Sequence, residues 1–191
     1  MLDEILKHKS QHGLEPSLRN ITVLVADMEG YTLATSNLDL ASIANLTRDF
    51  LETLTRPVLN WRGTLDKYTG DGMVAFWGAP LPTEDHADLA VSAALEIFQK
   101  VALLSEIRMA QGLSAVRVRI GIESGEALVG DLGSSFRSTY TAVGDCINFA
   151  SRLETLAREM GVPLMIGSAT QALLTQHAPR SLGKVTIRGT S

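Results

Sequence analysis

Ile21-Thr-Val-Leu-Val-Ala-Asp27 is a run of β-branched and aliphatic residues that ends on a carboxylate. Such a continuous run suits a strand covered on both faces, so the chain is expected to be built on a buried sheet. Downstream, Leu38, Leu40, Ile43, Leu46, Phe50, Leu54 and Val58 recur at helical spacing as one apolar stripe ending near Asn60. Residues 64–69 and 73–77 flank Gly70-Asp71-Gly72 and read as a β-hairpin. Pro80, Pro82 and Thr83 introduce a second helix, with Glu84 and Asp85 in its first turn, that runs to about Gln111 before Gly112 stops it. A strand pair is expected over 116–123 and 127–129 around Ser124-Gly125, then a Gly- and Ser-rich loop over 130–139. A third helix near 145–160, a strand at 163–166, a helix from Ser168 and a weak strand at 185–188 complete the pattern.

Helices separated by hairpins point to the α+β class: a ferredoxin-like, βαββαβ-derived sandwich whose antiparallel-rich sheet carries its helices on one face. A length of 191 residues suits one domain. Residues 1–19 are polar, carry both signs of charge and hold Gly13 and Pro16, so they read as a linker, with 20–191 as the domain. His8 and His12 within it have the i, i+4 spacing of a metal pair on a helix, against the plainer reading of a solvated linker. The terminal strand lacks a pairing partner, and the chain is expected to be a piece of a longer protein.

With 45% hydrophobic and 20% charged residues the chain can bury a core, which excludes disorder. Its formal charge of −4, from 17 basic and 21 acidic residues, argues against a nucleic-acid or anionic-membrane binder. Cys146 is the one cysteine and cannot form an intramolecular disulfide, which suits a reducing compartment. No apolar run approaches the roughly 18 residues of a membrane span, and MLDEILKHKSQH has no signal-peptide core. The expectation is a soluble cytoplasmic domain without direct membrane contact.

Two aspartates stand out by position. Asp27 directly follows the buried run, and Asp71 sits at the hairpin tip. Two carboxylates on neighbouring strands can hold Mg²⁺, which takes one or two carboxylates plus substrate phosphates. The competing readings are a helix cap for Asp27 and ordinary turn chemistry for Asp71. Asn148 and Arg152 are i, i+4 on the third helix, where Arg can grip a phosphate and Asn a sugar, or both can line a polar stripe. No G-x-x-x-x-G-K-[ST] loop, Cys/His zinc set or nucleophile elbow occurs in the chain.

Together these pieces resemble the catalytic domain of the class III nucleotidyl cyclases. Val25-Ala-Asp-Met-Glu-Gly-Tyr-Thr32, Lys67-Tyr-Thr-Gly-Asp-Gly72, Gly121-Ile-Glu-Ser-Gly125 with Gly130 and Gly133, and Tyr140-Thr-Ala-Val-Gly-Asp-Cys-Ile-Asn-Phe-Ala-Ser-Arg-Leu-Glu154 stand in the family's order and spacing over residues 23–174. The resemblance implies two divalent metals, Mg²⁺ or Mn²⁺, on Asp27, Asp71 and the Met28 carbonyl. It implies that Lys67 and Thr141 read the base, Asn148 orients the ribose, Arg152 stabilises the transition state and Arg137 binds phosphate.

Lys67 only donates, which suits adenine N1, and Thr141 can accept from the adenine amino group, so ATP is the expected substrate. Thr in place of the family's commoner Asp resembles the class IIIb subgroup, which implies bicarbonate or CO₂ regulation. A head-to-tail homodimer is implied, with Asp27 and Asp71 from one copy and Lys67, Thr141, Asn148 and Arg152 from the other. The resemblance also fits a cytoplasmic part of a larger, membrane-attached regulatory protein. The alternatives are a non-catalytic nucleotide-sensing dimerisation module and a guanylyl cyclase.

Overall fold

The computed structural model describes residues 15–134 and 136–183. The candidate strand at 185–188 and the His8/His12 pair lie outside the described residues. The elements, in chain order, are β1 (Ser17–Glu29), α1 (Tyr31–Thr35), α2 (Leu40–Asn60), β2 (Thr64–Thr69), β3 (Gly72–Trp77) and α3 (His86–Ala110). They continue with β4 (Arg117–Asp131), β5 (Tyr140–Val143), α4 (Asp145–Met160), β6 (Leu164–Ile166) and α5 (Ser168–Leu173). The sheet order is β2-β3-β1-β4-β5, and β6 runs parallel to the first part of β4.

β1 begins at Ser17, so residues 17–19 of the segment read as a linker are already strand. It pairs antiparallel with β3, Thr22 opposite Trp77 through Asp27 opposite Gly72, and with β4 along its whole length. That pairing overrides the local signal at Ser124-Gly125. The expected pair of strands is one continuous β4, with Gly125 extended opposite Ile21. The four-residue β5 and the short α1 were not foreseen, because both are shorter than their periodic signals can reveal. Glu84 and Asp85 precede α3, whose first turn holds Asp88 instead.

Alternation along β1 divides the core. Leu24, Ala26 and Met28 face α2 and α3, packing with Phe50, Leu54, Ala94 and Ile97. Ile21, Val23 and Val25 face the other way and pack with Cys146 and Ala150 of α4. The α+β class therefore stands, but α4 lies on the second face, where all helices were expected on one. The reason is steric. Gly121 and Gly125 of β4 point toward α4, and a Cβ on Gly121 would stand 3.0 Å or less from backbone atoms of Ala150, Leu153 and Glu154. Only a strand lacking side chains there lets the helix approach so closely. Among the described residues, no helix is long and apolar enough to cross a membrane.

Candidate active site

Asp27 is the next-to-last but one residue of β1, placed opposite Gly72 of β3 and Arg119 of β4. The helix-cap reading does not hold for it, since α1 is preceded by Gly30. Asp71 sits in the β2–β3 turn beside Gly70, whose φ of 72° is left-handed. A Cβ on Gly72 would lie 2.9 Å from Asp27 Oδ1, so glycine leaves room beside that carboxylate.

Electrostatics here favour a cation. Burial, then the neighbouring charges of Asp71 and Glu154, push the Asp27 carboxyl up to about 6. The opposing contact is Arg158 Nη2, 3.4 Å from Asp27 Oδ2. Glu154, four residues before Arg158 on α4, is itself raised, chiefly by burial. Arg119, 2.7 Å from Glu29 Oε1, adds a weaker opposing charge from farther off. Glu154, Arg158 and Arg119 escaped the sequence reading, because the Asp27–Arg158 contact spans 131 positions and no local pattern announces it.

Two hard carboxylates in a half-buried, negatively biased niche fit Mg²⁺ or Mn²⁺. Met28 can add only its backbone, since its side chain is buried in the core under α2 and α3. Among the described residues no group of three or more His, Cys, Asp and Glu side chains could hold a metal, so the remaining coordination would fall to backbone, water and substrate phosphates.

The other expected site residues lie apart from this niche. Lys67 is on β2, exposed, with Nζ 3.2 Å from Asp66 Oδ2. Thr141 is on β5 opposite Gly130, and β5 comes into contact with β2 although the two stand at opposite ends of the sheet order. Phe76 of β3 and Tyr140 of β5 help to bring these edges together, their ring centroids 6.3 Å apart. Arg137 is exposed in the loop after β4. Asp131 organises that loop by accepting from the backbone amides of Gly133 (3.1 Å) and Thr139 (2.8 Å) and from the Ser138 hydroxyl. The Gly/Ser composition of 130–139 pointed to a loop; the side chain that folds it lies just inside the preceding strand.

Asn148 is exposed and Arg152 half-buried in the first half of α4. Arg158, at the other end of the helix, is the residue that reaches Asp27. Ten residues separate Asn148 from Arg158, about 15 Å along the axis at 1.5 Å per residue. One chain therefore brings Asp27 together with Arg158 at the end of α4, while Asn148 lies in the first half of that helix.

The model for the "Adenylate and Guanylate cyclase catalytic domain" family matches residues 15–191. "Adenylate cyclase 1" of Rhizobium meliloti is 28% identical over 174 residues, which cover 91% of this chain and 26% of that protein. "Adenylate cyclase" of Anabaena cylindrica is 30% identical over 154 residues, covering 78% of this chain and 30% of the relative. The chain thus spans between a quarter and a third of the curated relatives it matches. Among solved structures, the adenylyl cyclase CyaB from P. aeruginosa superposes with a TM-score of 0.84 at 28% identity, covering 93% of this chain and 92% of that one. The guanylyl cyclase Cya2 gives 0.83 at 25% identity, covering 92% and 88%. With the family model spanning the whole described fold, the chain belongs to the adenylate and guanylate cyclase catalytic domain family.

Proposed function

We propose that this chain is an adenylyl cyclase domain converting ATP to 3′,5′-cyclic AMP and pyrophosphate, at two sites shared between the copies of a head-to-tail homodimer. The observation that carries the reading is the pairing of Asp27 with Asp71 at neighbouring strand ends, with burial and mutual repulsion raising Asp27. Such a pair holds divalent cations on the phosphates of a nucleotide. Two Mg²⁺ or Mn²⁺ ions bound there would lower the 3′-hydroxyl pKa and neutralise the triphosphate.

The chain's own residues do the rest. Asp27, Asp71 and the Met28 carbonyl would hold the metal ions, whose positive charge would bind the triphosphate end. From the partner copy, Lys67 donates to adenine N1 while the Thr141 hydroxyl accepts from the amino group, and guanine presents the opposite pattern at both positions. Asn148 orients the ribose so that the 3′-oxygen lies in line with the α-phosphorus. The new bond joins that oxygen to phosphorus as its proton passes to solvent water, the bond from the α-phosphorus to the α,β-bridging oxygen breaks, and pyrophosphate carries the electron pair away. Arg152 donates to the α-phosphoryl oxygens as charge builds on them, and Arg137 binds the departing phosphates.

The separation along α4 supports the two-copy site. Asn148 stands about 15 Å up the helix axis from Arg158, the residue that touches Asp27, which fits a site drawing on two copies. A two-fold pairing supplies the missing half from the second copy.

The test mixes two inactive variants, Asp27→Ala and Arg152→Ala. After subunit exchange, half the dimers are mixed, and each has one site with both defects and one with neither. Activity with ATP should recover to roughly a quarter of wild type. A mixture that exchanges fully, by native mass spectrometry, and stays dead overturns the shared site. Turnover of GTP in preference to ATP overturns the base assignment.

A further inference from the structure

Asp66 lies beside the base-reading position and has no counterpart in the scheme above. β2 and β3 pair regularly from Thr64 opposite Phe76 to Leu65 opposite Ala75; the ladder then resumes at Lys67 opposite Val74. Asp66 is the extra residue of a β-bulge, a device that re-aims side chains at the point where it occurs. Its side chain is only 2% exposed, and neither carboxylate oxygen accepts a hydrogen bond. The charged neighbour it does have, among the described residues, is the Lys67 ammonium, with Nζ 3.2 Å from Oδ2.

A buried carboxylate without donors is costly, and an opposite charge at contact distance is what offsets it. Asp66 is too deeply buried to touch a nucleotide itself. Lys67, in contrast, is 53% exposed, with its ammonium beside Asp66 and its N–H groups available for a base. A free lysine has four side-chain torsions to order before it can donate in one direction, and a fixed countercharge removes much of that cost beforehand.

We propose that Asp66 is a positioning residue for base recognition: thrown inward by the bulge, it tethers the Lys67 ammonium and preorganises it as the donor to adenine N1. This rests on the cyclase reading, in which Lys67 faces the base. It also gives a reason why a neutral hydroxyl at Thr141 suffices on the other side of the base. The carboxylate that steadies the lysine is its own sequence neighbour.

Two measurements decide it. The first needs no turnover: thermal unfolding of Lys67→Ala, Asp66→Asn and the double variant. Lys67→Ala leaves a buried, unpaired carboxylate and should lower the melting temperature by several degrees, and adding Asp66→Asn should restore most of that loss. Strict additivity would overturn the tether.

The second compares ATP with 1-deaza-ATP, whose base lacks the N1 acceptor. Asp66→Asn, or Asp66→Ser if the Asn variant does not fold, should raise KM for ATP about tenfold with kcat within about twofold, the size of one weakened charge-assisted hydrogen bond. KM for 1-deaza-ATP should stay at the wild-type value, and Asp66→Glu should recover part of the ATP affinity. Equal losses on both nucleotides would reduce Asp66 to a structural role and overturn the proposal. A wild-type chain that cyclises neither ATP nor GTP would instead remove the cyclase reading, and the base-recognition role with it.

Discussion

Replacing Gly121 by Ala adds one methyl group at the tightest contact between sheet and helix. The new Cβ would stand 3.0 Å or less from Ala150 O, Glu154 N and Leu153 C, where ordinary contacts need about 3.5 Å or more. None of these atoms belongs to a movable side chain. The backbone of α4 must therefore retreat from β4 by roughly 1 Å, or the strand must buckle by as much. Overpacking of this kind costs about 1–3 kcal/mol, and a clash with main chain belongs at the upper end. For a domain of this size that lowers the melting temperature by roughly 6–12 °C.

The displaced helix carries Asn148 and Arg152 in its first half and Glu154 and Arg158 in its second, so both parts of the proposed site shift with it. A misplacement of about 1 Å is worth on the order of 100-fold in rate. Gly125→Ala is the matched control, on the same strand and toward the same helix. Its Cβ would meet Cys146 Cβ at 3.1 Å and Sγ at 3.8 Å, an overlap relieved by a shift of a few tenths of an ångström, far less than at Gly121. It should cost about 1 kcal/mol or less and keep most of the activity. Differential scanning fluorimetry and a cyclic-nucleotide assay on the two purified variants give both readouts. If Gly121→Ala matched Gly125→Ala in melting temperature and rate, the close approach of α4 would not be what fixes the site.

Three further outcomes follow from particular contacts. Because the Asp27 carboxyl is raised from 3.8 to about 6, its contribution to stability is greatest below pH 3.8 and is lost as pH rises toward 6; a metal binding there must displace its proton. Mn²⁺ affinity, measured by calorimetry, should fall about tenfold per pH unit below 6 and level off above 7; a flat profile from pH 5 to 7 would contradict it. Asp88, 3% exposed, accepts from the Thr175 amide and hydroxyl and from the Gln176 amide, so Asp88→Ala should cost about 3 kcal/mol in chemical denaturation without changing KM for ATP. A loss under about 1 kcal/mol would show that this junction after α5 does not depend on the carboxylate. Lys67→Glu with Thr141→Cys should weaken ATP use and admit GTP, since a carboxylate accepts from guanine N1–H; unchanged kcat/KM for ATP would place both residues away from the base.

Much of this arrangement was legible from local pattern. The apolar run ending at Asp27, the Gly70-Asp71-Gly72 turn and the amphipathic α4 are each set by residues within a few positions of one another. Beyond the elements too short to show a period, the failures share a physical cause, which is that tertiary pairing outranks local propensity. Ser124-Gly125 has turn composition, yet β1 pairs with β4 straight through it, and the missing side chain serves the helix above instead. Arg158 shows the same limit in the site. As a charge in the last turn of a helix it looks like solvated surface and dipole complement, and only folding brings it 3.4 Å from Asp27.

Asp66 and Gly121 show this most clearly: Asp66 adjoins the Lys67–Gly72 stretch and Gly121 begins the Gly121–Gly125 stretch, and the role of neither is set by its sequence neighbours. A carboxylate beside a lysine on a short strand reads as alternating surface charge; the bulge between Leu65 and Lys67 turns it inward, so that it becomes a buried partner. A glycine in a strand reads as a weak point. Here its empty side lets α4 sit on the face opposite α2 and α3, so that each face of the sheet buries its own core. The face under α2 and α3 buries Met28 and leaves its carbonyl at the strand end, while the α4 face sends Arg158 to Asp27 and keeps Asn148 some three turns away. On the proposed two-copy reading, the chain carries both halves of a nucleotide site but joins each to the other copy's half. Its activity should therefore depend steeply on protein concentration below the dimer dissociation constant.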